Sequence, residues 1–188
     1  LLSNLLLDQL DRELERRGHC FVRYADDCNV YVATRRAGAR VLRSITRFLE
    51  RKLKLLVNTA KSAVDRPWNR SFLGFTFTRA TPRRGISPPA IHAFKQRVRE
   101  VTCRNRGAPL GVVIRELRPL LLGWRGYFGF AETSSVLHAL NCWVKRRLRC
   151  YMWKQWGRGR RRALRRCGIP PDDAAVGGSS LGPWRMSR

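Results

Sequence analysis

Acidic residues are scarce in this 188-residue chain: 13 Asp and Glu stand against 39 Lys and Arg, a formal net charge of +26. A domain this lopsided repels itself unless a polyanion offsets the charge, so RNA or DNA is the expected partner and an anionic membrane surface the weaker choice. No apolar run approaches the roughly 20 residues of a membrane helix, and nothing resembles a signal peptide. A membrane partner is therefore not expected, and a cytoplasmic protein is. None of the six cysteines, at 20, 28, 103, 142, 150 and 167, falls in a C-x-x-C pair, which leaves a zinc ribbon or finger unsupported. They are expected to be reduced and mostly buried. His19, His92 and His138 lack metal-ligand spacing. With 44% hydrophobic residues, six Trp and eight Phe, the chain can still bury a core, so it is no disordered basic tail. An initiator Met is missing too, and Leu1-Leu2-Ser3-Asn4-Leu5 reads like the middle of a helix. A fragment is the expectation.

Among so few acids, two adjacent ones stand out. Residues 21–33, Phe-Val-Arg-Tyr-Ala-Asp-Asp-Cys-Asn-Val-Tyr-Val-Ala, set Asp26 and Asp27 between two apolar, β-prone runs. A hairpin of this kind presents paired carboxylates at its tip, within reach of a hard cation. Mg²⁺ takes one or two carboxylates plus substrate phosphates, and two-metal sites stabilise the attacking and leaving oxygens of phosphoryl transfer. The plain alternative is a turn, since Asp favours turns; the dipeptide alone would favour it, and the basic context argues for the cation.

Along the chain, apolar residues at 2, 6, 7, 10 and 14 give helical spacing over 1–17, stopped by Gly18. Strands are expected at 20–25 and 28–34, then a helix over 37–54 with Val41, Leu42, Ile45, Phe48, Leu49 and Leu53 on one stripe. Leu55-Leu56-Val57 and Lys61–Val64 read as short strands, and 71–78 as a further β segment in which Gly74 allows close backbone approach. This is an α+β layer with helices on one face of an antiparallel sheet. The loop-like, basic stretch 79–90 marks the expected domain boundary. Beyond it the pattern turns helical. Ser87-Pro88-Pro89 starts a helix to about 103; others are expected over 110–128 and from Thr133 or Ser134 to about Trp156. A basic segment runs from Arg158 to Arg166, and the tail after 171 reads as loose.

From Thr133 through Pro171 no acid occurs, while Lys145, Arg146, Arg147, Arg149, Lys154, Arg158, Arg160, Arg161, Arg162, Arg165 and Arg166 accumulate among Trp143, Tyr151, Trp153 and Trp156. Arginine beside aromatics suits phosphates and unstacked bases. For Trp143 a core position is favoured over a contact.

Tyr24-Ala25-Asp26-Asp27 resembles the YxDD signature of reverse transcriptases, and the order of elements fits the palm of that fold. Leu122-Gly123-Trp124-Arg125-Gly126-Tyr127-Phe128 resembles the signature of the maturase-specific (X) domain. Both together, over about residues 1–170, resemble the reverse transcriptase/maturases encoded by group II introns. The resemblance implies a partial palm over 1–80, a helical thumb/maturase domain over 88–170 and a flexible tail at 171–188. It implies RNA-directed DNA polymerisation coupled to intron RNA binding, with intron RNA, an RNA template with its DNA primer and dNTPs as partners, and it leaves a homodimer open. Asp26 would be the primary Mg²⁺ ligand and Asp27 its lesser partner. Tyr24 would lie under the primer end and Ala25 would allow close approach. Phe72-Leu73-Gly74 resembles the primer grip, and Lys61, after Asn58, a proton donor or charge stabiliser for pyrophosphate.

For RNA, the candidates are Arg125, Lys145, Arg146, Arg149, Lys154, Arg158, Arg160, Arg161 and Arg162, whereas Trp124 and Phe128, four apart on a helix, read as core. The family also carries an upstream palm aspartate and template-binding fingers. The chain looks as if it begins beyond them, so in isolation it is not expected to synthesise DNA. An HNH endonuclease cluster is not seen. Two competing readings are a non-catalytic splicing maturase and another reverse transcriptase type, such as a retron or diversity-generating one; a ribosomal-style basic protein would not need the acidic hairpin.

Overall fold

A computed structural model describes residues 2–177, with side chains from 4 to 175. The chain falls into two compact units, Leu1–Phe72 and Leu73–Arg188. The division lies upstream of the expected 79–90 break, because that stretch is not a loop throughout: part of it pairs with the strand before it.

In the first unit, α1 (Leu2–Arg16) precedes a hairpin of β1 (Cys20–Tyr24) and β2 (Asp27–Tyr31), followed by α2 (Arg35–Arg51). Gly18, at φ +69°, ends α1. Its N–H reaches the Glu15 carbonyl at 2.8 Å and that of His19 reaches Leu14 at 3.0 Å, the two bonds of a Schellman stop. Thr34 caps α2, its Oγ1 accepting from the Ala37 N–H at 3.1 Å. Leu10, Leu14 and Leu53 are buried at the centre, surrounded by Phe21, Cys28, Val30, Ile45, Phe48 and Leu49. Neither Leu55–Val57 nor Lys61–Val64 forms a strand; the segment is irregular, with one turn at 59–61, up to a 3-10 turn at Pro67–Asn69. Lone short apolar runs without a paired edge have nothing to satisfy a ladder.

The second unit opens on another hairpin, β3 (Phe75–Phe77) with β4 (Arg84–Ile86), antiparallel with Phe75 opposite Ile86. The expected 71–78 strand is thus trimmed to its last half, and β4 lies where a loop was expected. Three long helices follow: α3 (Pro88–Val101), α4 (Leu110–Phe128) and α5 (Ser134–Trp156). Ser87 caps α3, its Oγ accepting from the Ala90 N–H, with proline at the first helical positions. Phe94, Val98, Val113, Leu117, Leu140, Val144 and Tyr151 form the core between them.

Two short helices, α6 (Arg160–Arg166) and α7 (Pro171–Gly177), close the described part. The latter corrects the expected loose tail, since Ala174 is buried against the cluster of Trp153 and Leu164; residues 178–188 lie outside the described residues. All six cysteines are free, and Cys20, Cys103 and Cys167 are exposed rather than buried. No described helix is long and apolar enough to cross a membrane.

Candidate functional site

The acidic hairpin closes one residue earlier than its sequence suggests. Tyr24 pairs with Asp27 as the last rung, so the two-residue loop is Ala25-Asp26 and Asp27 already belongs to β2. Such loops need a residue in the left-handed region to match the strand twist. Here Ala25 supplies it at φ +53°, a conformation that costs a non-glycine residue about 1–2 kcal/mol. Directly opposed residues share a sheet face, so Asp27 stands beside the exposed Tyr24, while Phe21 and Arg23 on β1 alternate toward the interior.

Arg23 holds this tip in place. Its guanidinium grips Asp11 of α1, with Nε at 2.8 and 3.0 Å from the two carboxylate oxygens and Nη2 at 2.6 Å. Its Nη1 donates to the Ala25 carbonyl at 2.7 Å. Hydrogen bonding to Asp11 raises the Arg23 pKa above its ordinary value, and burial pushes the Cys28 thiol up. A planar, bidentate cation thus ties the strained loop to the preceding helix. Sequence reasoning passed over Arg23, although its place next to the motif was the available signal.

Asp26 and Asp27 are both exposed, and among the described residues neither carboxylate is engaged by a hydrogen bond or an ion pair. The pair fits a hard cation in the partial sense open to two neighbouring carboxylates: one or two oxygens of a shell completed by water and phosphate. Among the described residues no group of three or more His, Cys, Asp or Glu could hold a metal.

Lys61 sits on a turn built by Asn58, whose side-chain Oδ1 accepts from the Lys61 N–H at 3.2 Å and whose carbonyl accepts from Ser62 at 2.9 Å. This leaves the Lys61 side chain exposed. In the second unit, Leu73 and Gly74 form a tight turn with both residues left-handed, at φ +52° and +78°. A Cβ on Gly74 would stand 3.0 Å from Phe128 Cζ, so glycine suits the position twice: its φ carries no Cβ strain, and the Phe128 ring need not give way. Tyr127 donates its hydroxyl to the Leu73 carbonyl at 3.0 Å. Phe128 is buried and Trp124 half-buried, their rings 4.8 Å apart, as a core pair requires.

The basic side chains divide by what they touch. Arg125, Lys145, Arg158, Arg161 and Arg162 are exposed, while Arg146 and Arg149 are half-buried. Lys154 donates to Asn105 Oδ1 at 2.5 Å, and Arg160 Nε to the Trp153 carbonyl at 3.1 Å, so both already hold part of the fold together. Trp143 is half-buried and packed against the core of the second unit, with Lys95, Arg99 and Arg147 over its ring at 5.8, 5.6 and 6.0 Å. Arg147 donates to Thr102 Oγ1 at 2.8 and 3.0 Å. Burial, with Arg104 and Arg99 nearby, lowers its pKa. This cluster draws residues from α3 and α5, and only their docking reveals it.

Two family models match the chain. One, described as reverse transcriptase (RNA-dependent DNA polymerase), covers residues 1–77, and the other, described as group II intron, maturase-specific domain, covers residues 91–168. A comparison with curated proteins finds no match. Reverse transcriptases use divalent metal ions, and these two domains imply intron RNA and an RNA template with its primer as partners. With the acidic hairpin in the first match and Leu122–Phe128 in the second, the chain belongs to the reverse transcriptase/maturases of group II introns, which serve intron splicing and mobility.

Proposed function

We propose that Asp26 and Asp27 hold Mg²⁺ for RNA-directed DNA polymerisation from dNTPs, and that the helical unit grips intron RNA in the cytoplasm. Residues 1–80 serve as palm and 88–170 as thumb and maturase domain in this reading. The observation behind it is the presentation of two unengaged carboxylates at the end of a hairpin that Arg23 clamps. When bound, Mg²⁺ would supply Lewis-acid activation of a primer 3′-hydroxyl and neutralise dNTP phosphate charge. Asp26, on the loop, has the wider reach. Asp27, fixed in β2, shares the Tyr24 face, where that exposed ring can support a primer nucleotide. Lys61 offers an exposed ammonium for the charge developing on departing pyrophosphate. The arginines of α4, α5 and α6 neutralise RNA phosphates with little base reading.

Two neighbouring carboxylates supply part of a two-metal centre, so purified residues 1–188 are expected not to extend a primer. The direct test is Mn²⁺ titration of the chain followed by amide NMR. Paramagnetic broadening should centre on residues 24–28 and vanish in Asp26→Asn. Broadening that survives this change would sink the assignment, whereas primer extension by the chain alone would overturn the expectation that these two carboxylates are not sufficient.

A further inference from the structure

Tyr127 lies inside the segment that carries the maturase signature, yet its hydroxyl is spent on the Leu73 carbonyl, 3.0 Å away and 54 residues earlier in the chain. The turn it reaches is unusual in its backbone. Leu73 and Gly74 are consecutive left-handed residues, and leucine occupies that region against its own Cβ. Such a conformation persists when its surroundings over-determine it. Three contacts do so here. The Ser87 N–H donates to the Gly74 carbonyl at 2.9 Å, extending the β3–β4 ladder. Phe128 closes the space over the Gly74 Cα. Tyr127 fixes the carbonyl of the peptide between Leu73 and Gly74, and with it the direction of the Gly74 N–H.

The Tyr127 ring is itself held, 5.6 Å from Phe75 and 4.8 Å edge-on from Phe128, so the hydroxyl is aimed rather than free to wander. It is also half-exposed, so water could satisfy the phenol at no loss to the core. A hydrogen bond that the core does not need, directed at one strained peptide, has its consequence at that peptide.

We infer that Tyr127 is a positioning residue for the Leu73–Gly74 turn, setting the backbone groups that orient a primer's 3′-terminal nucleotide. The inference rests on the reading of Phe72-Leu73-Gly74 as a primer grip and assigns to the signature segment a part in polymerisation besides RNA binding. Its direct consequence is that the maturase helix α4 and the primer terminus are coupled through one phenol.

The test uses the 188-residue chain and two fluorescent RNA/DNA duplexes, one with a recessed primer 3′ end and one closed by hairpin caps so that no end is present. The measured quantity is the ratio of their affinities. Tyr127→Phe keeps the ring stack and removes the bond, and should cut the preference for the recessed end by roughly two- to tenfold, the ratio corresponding to one ordinary hydrogen bond. Affinity for the closed duplex and the thermal midpoint should hold, which a merely structural role would not require. Gly74→Ala, checked for folding by circular dichroism, separates the failures. Loss of the preference in Gly74→Ala but not in Tyr127→Phe overturns the role of Tyr127 and leaves the primer grip standing. No preference in the unaltered chain, or its survival in both variants, overturns the primer-grip reading and the inference with it.

Discussion

At the scale of single residues, the strained loop beside Asp26 depends on a clamp. Arg23 is one-seventh exposed and Asp11 less than a quarter, so their bidentate pair is shielded enough to matter, unlike the open ion pairs of α1 such as Arg12–Asp8. Arg23→Ala leaves Asp11 without its partner and frees the Ala25 carbonyl, and should cost about 2–3 kcal/mol. Arg23→Lys keeps the charge and loses the fork, at about 1–2 kcal/mol. A double-mutant cycle with Asp11→Ala, read by urea unfolding, should show coupling of about 1–2 kcal/mol; additive losses would mean that the clamp does not hold the tip. The acidic motif itself was legible by residue type, because two acids between β-prone runs have few uses in so basic a chain. Its register was not, since Asp26 and Asp27 both suit a turn and only the pairing of Tyr24 with Asp27 decides between them. Arg23 was hidden for a related reason: its partner is on another element, and the sequence does not say how α1 docks.

At the scale of elements, helices announced themselves and short strands did not. Apolar spacing over several turns, with Gly18 and Ser87-Pro88 at the ends, carries its own punctuation, whereas Thr34, which caps α2, reads in the sequence as the end of a strand. β4 is three residues, Arg84-Gly85-Ile86, within a run of Pro, Arg and Gly; its support comes from β3 and from Glu132, whose carboxylate accepts from the Arg84 N–H at 2.6 Å. That contact holds the Glu132 carboxyl below its usual range, and no local pattern foretells it. α7 did have a start signal, Pro171 followed by Asp172 and Asp173 in the first turn, obscured by the Gly- and Ser-rich residues after it.

The docking of α2 offers a sharp test of packing within the first unit. Gly38 is buried on α2, and a Cβ there would stand 2.5 Å from Val64 Cγ1. Alanine would gain up to about 1 kcal/mol of helix propensity, but valine is stiff at χ1, and overpacking costs typically 1–3 kcal/mol. Gly38→Ala should therefore destabilise by about 1–2 kcal/mol, while Gly38→Ala with Val64→Ala should recover most of the loss relative to Val64→Ala alone. A stable single variant in chemical denaturation would show that the segment around Val64 yields freely.

At the scale of the whole molecule, charge was the most legible feature and its division of labour the least. The count of 39 basic against 13 acidic residues foretells a polyanion partner, but it treats every arginine alike, and the fold does not. Arg158, Arg161 and Arg162 are exposed around the start of α6, whereas Arg160 is half-buried with its Nε on the Trp153 carbonyl. The first three are free to neutralise phosphates; the fourth joins α6 to the end of α5. For single-stranded RNA, each neutralised phosphate contributes about 0.7 to the slope of log affinity against log salt. Replacing Arg158, Arg161 and Arg162 by Gln should thus flatten that slope by about two, measured by fluorescence anisotropy over a KCl series. Adding Arg160→Gln should change the slope little further and lower the thermal midpoint instead, because it removes a partly buried bond between helices. A slope that stays put in the triple variant would take this face off the RNA, and one that falls in equal steps through all four would mean that the Trp153 carbonyl does not hold Arg160 back.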